Sequence, residues 1–344
     1  MDKGNFIDFS ANVNPFAPND DLMEMVKSTV SKREFYVSYP DTEYSRARES
    51  IAKNLGNGMN GDNIILANGS IELIKLFSEV FSKGEAIIPI PTFCEYERSC
   101  RMCDSDPIFI RRDGGFEENP LPGIKSTLTP MTSSLYICNP NNPTGALMKK
   151  ETLRELAEFL DNEDVMVFVD EAFIDFAPNE SVIDMLEDLN NIVVGRSLTK
   201  ILGIPGIRLG YGIANKDTIE MLRNVQMPWS VNNLARDIAE NISRFNAFIT
   251  YTVDKLTIER GYMIDRLESS VPGIEILPSN ANYIMMRIDG MSSQEISGQL
   301  RAKGFLVRRC DSFRGGDVKS VRIAIRDRED DDRFLEAMTV LFGS

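Results

Sequence analysis

From about residue 62 onward, short apolar runs alternate with amphipathic stretches. "NIILA" (63–67), "EAIIPI" (85–90), "SLYICN" (134–139), "VMVFVD" (165–170) and "NIVVGRS" (191–197) are short, continuous and rich in β-branched residues. Strands covered on both faces by helices read this way, because neither face alternates with water. Among these runs, "SIELIKLFSEVF" (70–81) sets Ile71, Ile74, Phe77 and Phe81 at helical spacing, and "ETLRELAEFL" (151–160) is amphipathic. The alternation predicts an α/β fold: a large domain over residues 36–240 with a mainly parallel sheet sandwiched by helices. After about residue 235 the rhythm changes. One long helical pattern runs from "NNLARDIAENI" towards "RGYMIDRLES", followed by apolar runs at 281–288, 304–310 and 320–326. This predicts a smaller α+β C-terminal domain over 241–344. Residues 1–35 show no sheet of their own and are expected to pack across both domains.

Charge narrows the picture. The net charge of -14 argues against nucleic acid and against an anionic membrane surface, both of which require a basic face. No apolar run approaches the roughly 20 residues that span a bilayer, and no signal peptide opens the chain, so a cytoplasmic location is expected. Five cysteines with scattered spacing suggest free thiols; the lone C-x-x-C of Cys100 and Cys103 has no second pair to hold zinc. The chain contains no histidine. That excludes Ser-His-Asp and Cys-His catalysis and histidine-ligated metals, and no metal is expected. Proton transfer falls to Lys, Asp, Glu, Tyr, Cys or a cofactor.

Ligands of open parallel sheets bind beyond the carboxyl ends of the strands, so the residues following each strand carry the chemical signal. "NGS" follows the first run: Gly69 permits a tight turn, and the amides of Ser70 and Ile71 at a helix start suit a phosphate, although a plain capped helix explains them equally well. "NPNNPTG" follows 134–139 and turns Asn142 towards the strand ends; an ordinary proline turn is the alternative. Asp170 closes an apolar strand, ahead of Glu171, and a carboxylate there requires a cation or a donor. "GRSLTKILGIPGIRLGYG" (195–212) follows with Ser197, Thr199, Lys200 and Arg208. Lys200 in an apolar setting loses its proton easily and becomes a nucleophilic amine; a surface loop with one ordinary lysine is the competing reading. Phosphate cradle, asparagine, buried aspartate, isolated lysine and arginine, in this order, match the needs of pyridoxal 5′-phosphate: a lysine for its aldehyde, an aspartate for its ring nitrogen, and donors for its ring oxygen and phosphate. Phe93 either stacks on the ring or is a core aromatic.

With these motifs the chain resembles the fold-type I pyridoxal-phosphate enzymes of the histidinol-phosphate aminotransferase group, over nearly its whole length. "NPNNPTG", "VDEAFIDF" (169–176) and "SLTKILGIPGIRLGY" (197–211) carry the resemblance. It implies an aspartate aminotransferase-like fold, Lys200 as the Schiff-base lysine, Arg208 on the cofactor phosphate, Asp170 on the pyridine nitrogen, Asn142 on the ring oxygen and Phe93 in stacking. Tyr39, in "SYPD", matches a tyrosine that reaches the cofactor phosphate of the partner subunit, which implies a homodimer with shared active sites.

Within that group, "IDFSANVNP" (7–15), "YPDTEY" (39–44) and "QMPWSVN" (226–232) look most like the threonine-phosphate decarboxylase branch of the cobalamin pathway. The implied reaction converts O-phospho-L-threonine to aminopropanol phosphate and carbon dioxide. By this matching Asn12, Asn142, Arg308 and Arg322 bind substrate, and two arginines suit a ligand with a carboxylate and a phosphate. Arg322, Ala324 and Arg326 share a strand face that also reads as a solvated row, and Arg309 is expected to be the solvent-facing neighbour of Arg308. Phe173 stands where the aminotransferases usually carry tyrosine, which favours the decarboxylase branch. That branch carries an N-terminal His-Gly-Gly-Asn stretch that closes over substrate; this chain begins "MDKGNFIDFS" and holds only "KGN", so part of that lid is expected to be missing or replaced. The second reading is an aminotransferase acting on histidinol phosphate or another amino acid with the same residues. A silent ligand-sensing regulator is the third, and the acidic charge without a basic DNA-binding extension speaks against it.

Overall fold

The apolar runs assemble into a seven-stranded sheet in a computed structural model that describes residues 6–111 and 120–343. The "KGN" stretch, residues 3–5, lies outside the described residues. In chain order the strands are β1 (Ile7–Asp8), β2 (Ile64–Ala67), β3 (Glu85–Ile90), β4 (Asp106–Arg111), β5 (Thr132–Cys138), β6 (Met166–Asp170), β7 (Ile192–Ser197) and β8 (Gly210–Ile213). They continue with β9 (Ile274–Ile276), β10 (Tyr283–Ile288), β11 (Phe305–Leu306), β12 (Arg308–Arg309) and β13 (Ser320–Ala324). The helices are α1 (Asp20–Ser31), α2 (Arg33–Val37), α3 (Ser45–Leu55), α4 (Ser70–Phe81), α5 (Glu95–Met102), α6 (Leu121–Thr127) and α7 (Lys150–Asp161). After them come α8 (Leu198–Ile201), α9 (Lys216–Val225), α10 (Asn233–Glu240), α11 (Asn246–Ser270), α12 (Ser293–Ala302) and α13 (Arg328–Phe342).

The large sheet has the order β2-β8-β7-β6-β5-β3-β4, and only β8 runs against its neighbours. This is the mostly parallel sheet of the aspartate aminotransferase-like fold. Its central strands β5, β6 and β7 are buried along almost their whole length, as continuous apolar runs require. Two of its strands escaped the periodicity. β4 begins Asp106-Pro107 and lies at the sheet edge, where a missing N–H breaks no ladder. β8 is half glycine: a Cβ at Gly210 would come within 2.8 Å of the Gly69–Ser70 backbone, so glycine alone lets β8 pass the start of α4.

The C-terminal elements differ from expectation in two places. The single long helical pattern is broken into α10 and α11 by a tight 3-10 turn over Ile242–Phe245, where Asn241 Nδ2 donates to the Asp237 carbonyl at 2.9 Å. "GFLVRRC" also divides: β11 pairs in parallel with β1, whereas β12 joins the antiparallel sheet β12-β13-β10-β9. The N-terminal chain adds backbone to both. Phe9 N donates to Leu306 O at 2.8 Å, and Ala324 N donates to Phe9 O at 2.8 Å. Five residues on, Asn14 Nδ2 donates to Ile201 O at 2.7 Å and to Thr252 Oγ1 at 3.1 Å, which brings residues 10–14 beside α8.

Behind this junction Phe9 packs on Phe334 at 4.5 Å between centroids. Asp331, fully buried in the first turn of α13, accepts from Arg326 N at 3.1 Å, and its Oδ2 has no partner among the described residues. Burial pushes its carboxyl up to about 8; the Arg326 amide opposes that, and the carboxylates of Glu259 and Asp327 add to it.

Candidate active site

β2, β5, β6 and β7 all end at one edge of the sheet, and β8 starts there because it runs the other way. A cavity of about 570 Å³ opens at this edge. It is lined by Ser70, Ile71, Phe93, Asn142, Asp170, Ser197, Thr199, Lys200 and Arg208 from the large sheet's loops, and by Asn12, Arg308 and Arg322 from the opposite side. Gly69 supports the cavity from behind: a Cβ there would collide with the Arg208 guanidinium. The first amides of α4 have no intrahelical acceptor. Tyr39 is the exception among the sequence-derived candidates. It is 79% exposed, stacks on Trp229 at 4.7 Å, and does not line the cavity of its own chain.

The three asparagines of "NPNNPTG" divide their work. Asn139 holds the loop through Met148, donating to its carbonyl at 3.0 Å and accepting from its amide at 2.7 Å. Asn141 donates to Pro91 O and Thr144 Oγ1, accepts from Thr92 Oγ1, and lends its carbonyl to the Tyr283 hydroxyl. Asn142 alone faces the cavity, where its Oδ1 accepts from Arg322. The acidic pair divides in the same way. Glu171 turns away and is satisfied by Arg196 Nε, Ser181 Oγ and Val182 N at 2.8–3.0 Å. Asp170, 3% exposed, points into the cavity. Its Oδ2 accepts from Tyr96 Oη at 2.7 Å and its Oδ1 from Ala172 N at 3.0 Å. Burial raises its carboxyl to about 6 against these donors and the Lys200 ammonium.

Lys200 is half-buried, and its ammonium makes no hydrogen bond or ion pair among the described residues. Burial first, then the cations of Arg322 and Arg208, lower its pKa, while Asp170 pulls the other way. It stands one turn along α8 from Ser197, whose Oγ shares a hydrogen bond with Thr199 Oγ1 at 2.7 Å. Arg208 adopts φ 63°, in the left-handed region. Arg322 is not part of a solvated row. It is 6% exposed, donates to Asn142 and to Ser10 O, lies 5.0 Å over the Tyr283 ring, and keeps an unpartnered Nε. Arg326, four residues on, instead pairs with Asp330 at 2.7 Å. Of the adjacent pair it is Arg308 that is exposed, reversing the expectation; it stacks on Phe313 at 5.0 Å at the cavity mouth, while Arg309 bonds to Asp311. Asn12 is buried, with an unpartnered Oδ1.

Sequence reading missed Tyr96, Tyr283, Phe313 and the Ser10 carbonyl. Only Tyr96 left a trace, as an aromatic one helical turn after Phe93. The others reach the site through strand pairing far along the chain.

Similarity to known proteins agrees with this geometry. A putative threonine-phosphate decarboxylase from Caldanaerobacter subterraneus subsp. tengcongensis is 31% identical over 96% of this chain and 89% of its own length. A histidinol-phosphate aminotransferase from Methanosarcina mazei is 29% identical, covering 97% of this chain and 88% of its own. The crystal structure of the histidinol-phosphate aminotransferase from Clostridium acetobutylicum superposes with a TM-score of 0.89 at 28% identity, over 97% of this chain and 98% of that one. The match to the family described as aminotransferase class I and II runs from residue 4 to residue 338, and the chain belongs to that family of pyridoxal-phosphate enzymes.

Proposed function

We propose that this chain binds pyridoxal 5′-phosphate at Lys200 and decarboxylates O-phospho-L-threonine to aminopropanol phosphate and carbon dioxide. The donor set fits the cofactor: a half-buried lysine without an ion pair among the described residues, a buried aspartate, and the Arg208 guanidinium packed over Gly69 beside the start of α4. When bound, the cofactor draws electrons from the substrate Cα. Asp170 holds the proton of the ring nitrogen, and its two donors keep its carboxylate available for that. Ser197, Thr199 and Arg208 bind the cofactor phosphate. Lys200, whose proton is easily lost, delivers to Cα the proton that replaces the departing carboxylate.

The observation that carries the substrate class is the pair of arginines. Arg322, buried with an unpartnered Nε, and Arg308, at the mouth, face Lys200 across one cavity, two cations for two anionic groups. Phe173, 3% exposed and edge-on to Tyr283 at 5.0 Å, brings no hydroxyl to that cavity. The active form is a homodimer in which Tyr39 enters the partner's cavity. The cluster of exposed apolar residues around it, Tyr36, Val37, Met227 and Trp229, supports that reading.

A two-product assay tests the reaction. Purified enzyme loaded with cofactor should release carbon dioxide from O-phospho-L-threonine and act poorly on threonine. Formation of glutamate from histidinol phosphate and 2-oxoglutarate, without carbon dioxide from phosphothreonine, would replace the decarboxylase with the aminotransferase.

A further inference from the structure

Tyr96 touches neither the mouth of the cavity nor its anion-binding groups, yet its hydroxyl ends on Asp170 Oδ2 at 2.7 Å. We infer that Tyr96 is a positioning residue that orients the Asp170 carboxylate and holds it ionised for a cationic ring nitrogen; this rests on the cofactor reading above. Two donors on two different oxygens, Tyr96 Oη on Oδ2 and Ala172 N on Oδ1, fix the plane of the carboxylate. Rotation about its Cβ–Cγ bond breaks both.

The tyrosine is itself held on every side. Its ring is fully buried, edge-on to Phe93 at 5.9 Å and stacked on Tyr136 at 5.4 Å. The Tyr136 hydroxyl lies 2.6 Å from Ser78 Oγ and 2.8 Å from Ser82 Oγ, and Ser82 reaches Ser134 Oγ at 2.8 Å. This hydroxyl network joins α4 to β5 and makes Tyr136 a fixed backstop. The same ring contact links Tyr96 to Phe93, so the face of the cavity and the grip on Asp170 share one support.

The direction of the effect follows from burial. An apolar surround favours the neutral acid, and a hydrogen bond given to the ionised form opposes it. The groups facing Asp170 are Tyr96 from α5, Lys200 from α8, Glu171 beside it, and Tyr283 from β10, with Cys138 on the neighbouring strand. Of these, Lys200 and Tyr96 favour the carboxylate, and Lys200 is committed to other chemistry once the cofactor is bound. Removing the Tyr96 hydroxyl leaves Ala172 N as the one remaining hydrogen-bond donor to the Asp170 carboxylate among the described residues.

The test uses Tyr96→Phe in the full-length protein. In the cofactor-free protein, the carboxyl infrared band that disappears in Asp170→Asn should titrate about one pH unit higher in Tyr96→Phe than in wild type. In the loaded enzyme the acid limb of kcat/KM should move up by about the same amount, and pyridoxal phosphate should dissociate about tenfold more readily. Tyr136→Phe, which perturbs the packing but spares the Asp170 bond, should leave the infrared titration and the acid limb in place. Combined with Asp170→Asn, Tyr96→Phe should have no further effect on cofactor retention. An unmoved carboxyl band in Tyr96→Phe, an equal shift in Tyr136→Phe, or additive losses in the double variant would each overturn the inference. If wild type takes up no pyridoxal phosphate, the proposed function fails, and the infrared titration still decides the role of Tyr96.

Discussion

On the floor of the cavity Asp170 meets two donors, Asn139 is engaged by its own loop and Asn141 by that loop and the one after β3; on the opposite wall Asn12 Oδ1 and Arg322 Nε are buried with no partner among the described residues. The floor's asparagines, aspartate and lysine stand at or follow strand ends that lie between Cys138 and Ser197 in the chain. The wall is assembled from residues 10–13 and 308–322, chain segments brought together by β1, β11 and β13 and by the Arg322 bond to Ser10 O. A buried polar atom left unpaired costs about 1–3 kcal/mol. Lys200 apart, the floor satisfies its own polar groups, whereas the wall keeps buried polar atoms that an occupant of the cavity could pair. Under the proposed function, the chemistry belongs to the first and substrate recognition to the second.

Breaking the floor should have the largest effect. Lys200→Ala is expected to lose turnover by roughly 10⁴-fold or more and to lose the borohydride-fixable cofactor absorbance. Cofactor found fixed to Lys75 or Lys216 by peptide mapping would refute the assignment. The same variant probes the shared site: refolded together with Tyr39→Ala, it should regain activity, because one composite cavity recovers both residues. Recovered heterodimers without activity would remove Tyr39 from the site.

Changes to the wall should be graded by burial. Arg322→Ala removes a buried guanidinium that also holds Asn142 and Ser10, and kcat/KM for phosphothreonine should fall about 100-fold or more. Arg308→Ala, at the solvent-exposed mouth, should cost about 10-fold. Steady-state kinetics on the two variants separates them, and equal losses would mean that burial does not rank the wall's two cations.

The smallest effect lies away from both. Asp331 holds its proton more tightly folded than unfolded, so its contribution to stability is present at acid pH and is lost as pH rises through about 8. Asp170 completes its own loss near 6, so the interval between pH 6 and 8 belongs to Asp331. Facing it are Arg326, Glu259 and Asp327. Denaturant unfolding should show wild type losing roughly 1–2 kcal/mol across that interval, and Asp331→Asn losing much less. Parallel curves would show that the carboxyl is already ionised at pH 6.

The same division explains what could be read from the chain alone. α4, β3 and the strands carrying Asp170 and Ser197 declare themselves through local periodicity, and the floor residues follow them in contiguous motifs. β8 conceals itself because close approach to α4 demands glycine where a strand signal demands side chains. The burial of Arg322 was invisible because it depends on Ser10 and Asn142, 312 and 180 residues away, reached through strand pairing that no local pattern encodes. The splitting of "GFLVRRC" between two sheets has the same origin: which neighbour pairs with each residue is decided by the N-terminal strand.

Arg208 adds a last consequence. At φ 63° its backbone adopts a shape that glycine takes freely and a side-chain-bearing residue holds at a cost of about 1–3 kcal/mol. Its guanidinium, meanwhile, lies across Gly69, in a space that a single methyl group would close. A glycine at 208 would relax the chain and remove the guanidinium; any larger residue at 69 would evict it. If Arg208 grips the cofactor phosphate as proposed, fold robustness and ligand capture pull in opposite directions at this residue, and a search for more heat-resistant variants should recover substitutions here that stabilise the protein while disarming it.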